Sequence, residues 1–159
     1  MGKQINLLKA KDRLSINQGL LGITFSLFVF IIVLNPELLN ESFFLPIQLT
    51  LAIPLFLSAT FAQSKLIYAE KKQMWENYGF ITFILGYSFL INIVGTLLSL
   101  FVGTEIAMFF FLAVIITPIV YSTLAVIENR SKLKTRIVED TFFITIILLG
   151  GILPSLGIF

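Results

Sequence analysis

Residues 77–101 read NYGFITFILGYSFLINIVGTLLSLF, an apolar stretch that small and polar residues interrupt at regular intervals. The interrupting residues recur at spacings of four, three and four, and they are Ser88, Asn92, Gly95 and Ser99. On a helix that turns about 100° per residue, these positions lie within an arc of roughly 60°, with Thr96 beside them. The opposite side of that helix carries large apolar residues, namely Phe83, Leu90, Ile93, Leu97 and Phe101. The stretch therefore predicts a membrane-spanning helix with one narrow polar face.

The composition of the whole chain is that of a membrane protein. Of its 159 residues, 57% are hydrophobic and 13% are charged, whereas soluble domains carry about 25% charged residues. The chain contains no cysteine and no histidine. These two absences exclude disulfides, thiolate nucleophiles and the imidazole bases and metal ligands on which many enzymes depend.

Charged residues occur in clusters that leave five uncharged windows, at residues 14–36, 42–64, 77–104, 106–127 and 141–159. A helix needs about 20 residues to cross the ~30 Å of bilayer hydrocarbon, so the first four windows are long enough. The fifth is barely long enough, and glycines and a proline interrupt it. None of the windows alternates polar and apolar residues as a membrane strand would. We predict an all-α fold, a five-helix transmembrane bundle forming one domain over residues 1–159, with spans at about 16–35, 43–64, 78–101, 106–127 and 141–158.

The distribution of basic residues predicts the orientation of these spans. A five-span path places all eleven Lys and Arg residues on one side of the membrane. Basic residues accumulate on the cytoplasmic side of membrane proteins, so we expect a cytoplasmic N-terminus and a C-terminus outside. The expected location is a prokaryotic plasma membrane.

The polar face of the third span has two interpretations. A carboxamide in hydrocarbon is costly unless it is bonded, so Asn92 must face protein or water. It can hold the bundle together through a hydrogen bond between helices, which is worth about 0.6–2 kcal/mol. Alternatively, Ser88, Asn92, Thr96 and Ser99 line a hydrated path for ions.

Small residues also mark a face of the first span, where Ser15, Gly19, Gly22 and Ser26 again follow spacings of four, three and four. Small side chains let helix backbones approach closely. Gly19, Gly22, Ser26 and, on the third span, Gly95 are therefore predicted helix-packing positions, against another span or another subunit. A contribution of the first span to a pore is the other interpretation.

Charged residues at the two membrane surfaces provide further candidates. Glu37, Glu41 and Glu105 lie on the outer side, where rings of carboxylates in an oligomer would concentrate cations. Ordinary solvation of loop charges is the alternative. On the inner side, Lys132, Lys134 and Arg136 belong to a run of mixed charge that could dock a cytosolic protein.

These observations favour a channel over an enzyme. No carboxylate lies well inside a window, and no phosphate-binding glycine motif is present, so we expect no catalytic residue, no metal and no cofactor. The dispersed basic residues fit topology and anionic lipid rather than nucleic acid. The expected function is a homo-oligomeric channel with a cation bias, lined by the third span. The alternative is a non-conducting anchor or sensor subunit, of the kind found in bacterial defence or signalling systems, that binds a cytosolic partner through the inner loops.

Overall fold

The computed structural model describes the backbone of residues 2–68 and 72–158, and the side chains of those residues other than 2–10, 67, 72 and 132. Every regular element in these ranges is a helix, and no strand is present among them. The predicted all-α fold is therefore confirmed at the level of secondary structure.

The described part of the chain consists mainly of five long helical segments. Helix α1 (Gly2–Val29) continues into a π-helical turn (Phe30–Leu34), and the short α2 (Leu38–Glu41) follows. Next come α3 (Phe44–Tyr68), α4 (Lys72–Phe101) and α5 (Thr104–Glu128). A 3₁₀ turn (Arg130–Lys132) leads to α6 (Leu133–Ile147), which continues through a π-helical segment (Leu148–Ile152) into α7 (Leu153–Ser155). Among the described residues, five stretches are long and apolar enough to cross a membrane, as predicted: Lys11–Leu34, Phe44–Leu66, Gln73–Phe101, Thr104–Glu128 and Leu133–Ser155.

Several helices extend beyond the uncharged windows. Helix α4 begins at Lys72 rather than near residue 78, and α6 begins at Leu133 rather than at residue 141. The charged sequence between the last two spans is therefore mostly helical, and the connection is confined to residues 129–132. Lys, Arg and Glu are good helix formers, so a change from apolar to charged sequence need not end a helix.

The chain divides into two compact units, one ending at Leu90 and one beginning at Ile91. In the first unit, α1 packs against α3. Among the described side chains of α1, Asn17 and Thr24 are buried, and so is Ile31 in the π-helical turn that continues the helix. These three residues lie seven positions apart and so along one side. The buried apolar residues of α3 recur every three or four positions: Leu45, Leu49, Ala52, Phe56, Ala59 and Ala62.

The second unit contains the end of α4 together with α5 and α6. Val102 and Gly103 connect α4 to α5, and both of their amides donate to the carbonyl oxygen of Leu98, at 2.9 and 3.0 Å. Gly103 has φ +131°, a conformation that L side chains rarely adopt. The glycine thus permits a two-residue turn, which makes α4 and α5 antiparallel neighbours.

Helix α4 is the most buried of the five spans, with 44% of its most apolar stretch buried against 33% or less in the others. Its apolar side is covered as well as its polar side, since Leu90, Ile93 and Leu97 are all buried. The middle of α4 therefore faces protein on both sides.

Candidate functional site

The polar face of α4 is turned into the protein. Ser88 and Asn92 are fully buried, and Thr96 is 6% exposed. Ser99, nearer the end of the helix, is half-buried. The side chains proposed to line a path are thus largely closed off by the chain itself.

The two hydroxyl groups at the ends of this face have local partners. In the first unit, the Ser88 hydroxyl donates to the carbonyl oxygen of Ile84, one turn earlier, at 2.8 Å. In the second unit, the Ser99 and Thr104 hydroxyl oxygens lie 3.3 Å apart, across the turn between α4 and α5. Such local bonds satisfy a hydroxyl group without water.

Asn92 forms a hydrogen bond from this face to another long helix. Its Nδ2 donates to the carbonyl oxygen of Ile146 on α6, at 3.2 Å. Ile146 lies just before the π-helical segment Leu148–Ile152, where backbone hydrogen bonds run to i+5 instead of i+4. Asn92 therefore joins α4 to α6 where the hydrogen-bond register of α6 changes. Its Oδ1 is buried and has no hydrogen-bond partner.

Two glycines and a phenylalanine surround Asn92 in the second unit. The Phe111 ring of α5 is fully buried. It lies so close to Gly95 that a Cβ at this position would overlap the ring. A Cβ at Gly151, in the π-helical segment, would lie 2.7 Å from the same ring and 2.5 Å from Asn92 Oδ1. Gly95 and Gly151 thus admit the ring, and Gly95 is a packing position, as its place in the sequence pattern suggests.

The burial of this face bears on the predicted pore lining, which stays a prediction. A channel on the axis of an oligomer needs polar groups on the surface of each protomer, where water reaches them. Ser88, Asn92 and Thr96 offer no such surface, because the rest of the chain covers them. The hydrogen bond from Asn92 to Ile146 is the kind of contact that the alternative interpretation expects, in which Asn92 holds helices together.

The small face of α1 is predicted to pack against another span or another subunit, and in the structure it is exposed. Gly19, Gly22 and Ser26 are exposed, and a Cβ at either glycine would meet no atom within 4 Å. Helix α1 buries the side that carries Asn17 and Thr24 instead. Within the chain, the small-residue pattern thus marks an open face, and packing against another subunit remains a hypothesis.

The charged candidates lie at helix ends. Glu37, Glu41 and Glu105 are all exposed, as solvated carboxylates would be. Of the basic residues expected on the inner side, Lys134 is exposed, and the Lys132 side chain lies outside the described residues. Arg136 is already engaged, because its Nη1 lies 2.8 Å from Glu139 Oε2 and its guanidinium lies 5.3 Å from the centre of the Tyr121 ring. Arg136 thus contributes to an internal contact between α5 and α6, and its part in docking a partner stays a prediction.

A cleft in the first unit has no counterpart in the sequence-based predictions. Its volume is about 280 Å³, and it is lined by Arg13, Ile16, Asn17, Gln63, Gly79, Phe80 and Phe83. Asn17 and Gln63 are 2% and 5% exposed. In the sequence, the only indication of this cleft is that these two carboxamides lie near the basic ends of their uncharged windows.

Phe111 and Gly151 were also not identified from the sequence, because an aromatic residue or a glycine in an apolar run has no distinguishing pattern.

Comparison with known proteins identifies no relative. No protein-family model, curated protein or solved structure matches this chain. Among the described residues, no group of three or more His, Cys, Asp or Glu residues could hold a metal ion. The functional argument therefore rests on the geometry above.

Proposed function

We propose that the protein is a non-conducting membrane subunit that binds a cytosolic partner at the charged ends of α5 and α6. The burial of Ser88, Asn92 and Thr96 supports this proposal most directly. Ion passage requires polar groups in contact with water, and the polar face of α4 is largely buried. The positive-inside rule places the junction of α5 and α6 in the cytoplasm.

The partner surface consists of exposed charges of both signs on a defined turn. Glu128, Arg130 and Lys134 are exposed. Asn129 fixes the turn between the helices, since its Oδ1 accepts from the backbone amide of Ser131 at 3.1 Å and from the Ser131 hydroxyl at 2.8 Å. A turn that is held in this way presents its charges in one arrangement, which favours recognition by a complementary charged surface.

Site-specific photo-crosslinking in the source cells tests this proposal. A photo-crosslinking amino acid at position 134 is expected to capture one discrete soluble protein, and the additional substitution Arg130→Glu should weaken the adduct. The matched control carries the same amino acid at position 105, an exposed site expected on the opposite side of the membrane. Identical adducts from both positions, or none from position 134, would contradict the proposal.

A homo-oligomeric channel is the second candidate, and the open face of α1 favours it. Ser15, Gly19, Gly22 and Ser26 are exposed, and Gln18 beside them is also exposed. A polar side chain within a span is costly against lipid, so a second copy of the chain could cover this face. In that arrangement α1, rather than α4, would line any path for cations, with the outer glutamates at its mouth.

A further inference from the structure

The cleft in the first unit contains an unsatisfied polar atom. Gln63 Oε1 is buried and has no hydrogen-bond partner, although buried polar groups are nearly always bonded. The Gln63 side chain is 5% exposed and lines the cleft. A ligand that donates a hydrogen bond would satisfy this oxygen.

A positive charge lies at the same cleft. Arg13 lines it, and the Arg13 Nη1 atom is 3.6 Å from Glu76 Oε1. Both side chains are about half exposed, at 54% and 50%. Such a long, exposed ion pair is weak, so Arg13 remains available to a phosphate, which guanidinium groups bind well.

The remaining wall is apolar and reaches the surface of the unit. Ile16 and Phe80 are 55% and 38% exposed, and Phe83 lines the cleft with them. Arg13 immediately precedes the first uncharged window, and Gln63 is the penultimate residue of the second. The cleft therefore lies at the boundary between hydrocarbon and headgroups, on the side with the basic residues.

We propose that this cleft binds the headgroup of an anionic phospholipid that carries free hydroxyl groups, such as phosphatidylglycerol. Arg13 binds the phosphodiester, and a headgroup hydroxyl donates to Gln63 Oε1. The buried Asn17 carboxamide provides a further polar group, and the acyl chains lie against Ile16 and Phe80. A cleft of about 280 Å³ is near the lower end of ligand-pocket volumes, which suits a headgroup rather than a whole lipid.

Native mass spectrometry of the detergent-purified protein measures this binding. The protein is mixed with equimolar phosphatidylglycerol and phosphatidylcholine that have identical acyl chains. We expect about a tenfold preference for phosphatidylglycerol, because phosphatidylcholine has no headgroup hydroxyl to donate and its choline carries a positive charge that Arg13 repels. Gln63→Leu and Arg13→Gln should each reduce the preference to about threefold or less.

Matched variants distinguish lipid binding at the cleft from lipid binding through charges elsewhere on the surface. Glu76→Gln removes the ion-pair partner of Arg13 and should leave the preference unchanged or raise it. Gln18→Leu changes an exposed residue of α1 that does not line the cleft, and it should have no effect. Because Arg13 is half exposed, Arg13→Gln tests the proposal even if the buried Gln63→Leu change prevents folding.

Two further ligands test whether the headgroup hydroxyl is required and whether the bound molecule is a lipid or a soluble phosphate ester. Phosphatidylmethanol has the same phosphodiester charge without a headgroup hydroxyl, and we expect it to bind the wild-type protein less well than phosphatidylglycerol. Equal binding of these two lipids would overturn the role of Gln63. Displacement of the lipid by an equal concentration of glycerol 3-phosphate would indicate a soluble ligand and would overturn the lipid assignment, as would unchanged preference in both Arg13→Gln and Gln63→Leu.

Discussion

Asn92 and Gly95 lie one turn apart on α4, and each contacts a different neighbouring helix. Asn92 bonds to the backbone of α6, whereas Gly95 makes room for the Phe111 ring of α5. In a bilayer, burying apolar surface contributes little free energy to helix association. Helices are therefore held together mainly by close packing and by hydrogen bonds between them. These residues therefore hold the second unit together, and their removal should affect stability before any other property.

Gly95→Ala should destabilise the protein by about 1–3 kcal/mol, because the added methyl group overlaps the Phe111 ring and forces it to move. Titration with sodium dodecyl sulfate, followed by circular dichroism, measures the free energy of unfolding in micelles. Adding Phe111→Leu should restore part of the loss, since the smaller side chain leaves room for the methyl group.

The control for this series is Gly22→Ala on α1. A Cβ there meets nothing within 4 Å, and alanine favours a helix by up to about 1 kcal/mol over glycine. The control should therefore be neutral or slightly stabilising. Equal losses from Gly95→Ala and Gly22→Ala would mean that contact with Phe111 does not determine the requirement for glycine.

At the scale of whole helices, α1 and α4 show why similar sequence patterns lead to different surroundings. Both carry small and polar residues at spacings of four, three and four, yet the face of α4 is largely buried and that of α1 is exposed. Spacing determines which residues share a face, whereas the identity of the neighbour depends on tertiary packing. The five helices could be predicted because length and hydropathy are properties of each segment alone. The pairing of Asn92 with Ile146 depends on the register between two segments, which no single segment encodes.

Gly22→Leu tests whether the open face of α1 packs against a second copy of the chain. A large side chain would prevent close approach of two α1 helices, so an oligomer built on this face should dissociate while the monomer keeps its stability. Native mass spectrometry in mild detergent measures the mass of the assembly. Ile23→Leu, an exposed position beside it, is the matched control. A wild-type monomer, or an oligomer that Gly22→Leu leaves intact, would contradict the second candidate function.

At the scale of the whole molecule, the asymmetric distribution of charge is the main determinant of topology. With five spans, every Lys and Arg falls on one side, and Glu37, Glu41 and Glu105 fall on the other. The ion pair between Arg13 and Glu76 agrees with this arrangement inside the first unit, since it brings the beginnings of the first and third spans together. In the five-span topology the chain crosses the membrane twice between Arg13 and Glu76, through the first and second spans, so both residues are expected on the same side.

Cysteine labelling tests the five-span topology without background, because the chain contains no cysteine. Glu37→Cys, Glu105→Cys and Lys134→Cys each place one thiol at an exposed position. In intact cells, a membrane-impermeant maleimide should label the first two variants but not the third, which should react only after lysis. Labelling of Lys134→Cys in intact cells would contradict the orientation.

Ion flux into proteoliposomes tests the central claim most directly, namely that the polar face of α4 serves packing rather than conduction. The measurement compares potassium and sodium uptake by vesicles that contain the wild-type protein, vesicles that contain Asn92→Leu and empty vesicles. Because the chain itself buries Asn92, we expect uptake equal to that of empty vesicles in both cases. Cation uptake by the wild-type protein that Asn92→Leu abolishes, with the fold and the assembly mass unchanged, would contradict the claim and restore α4 as a pore lining.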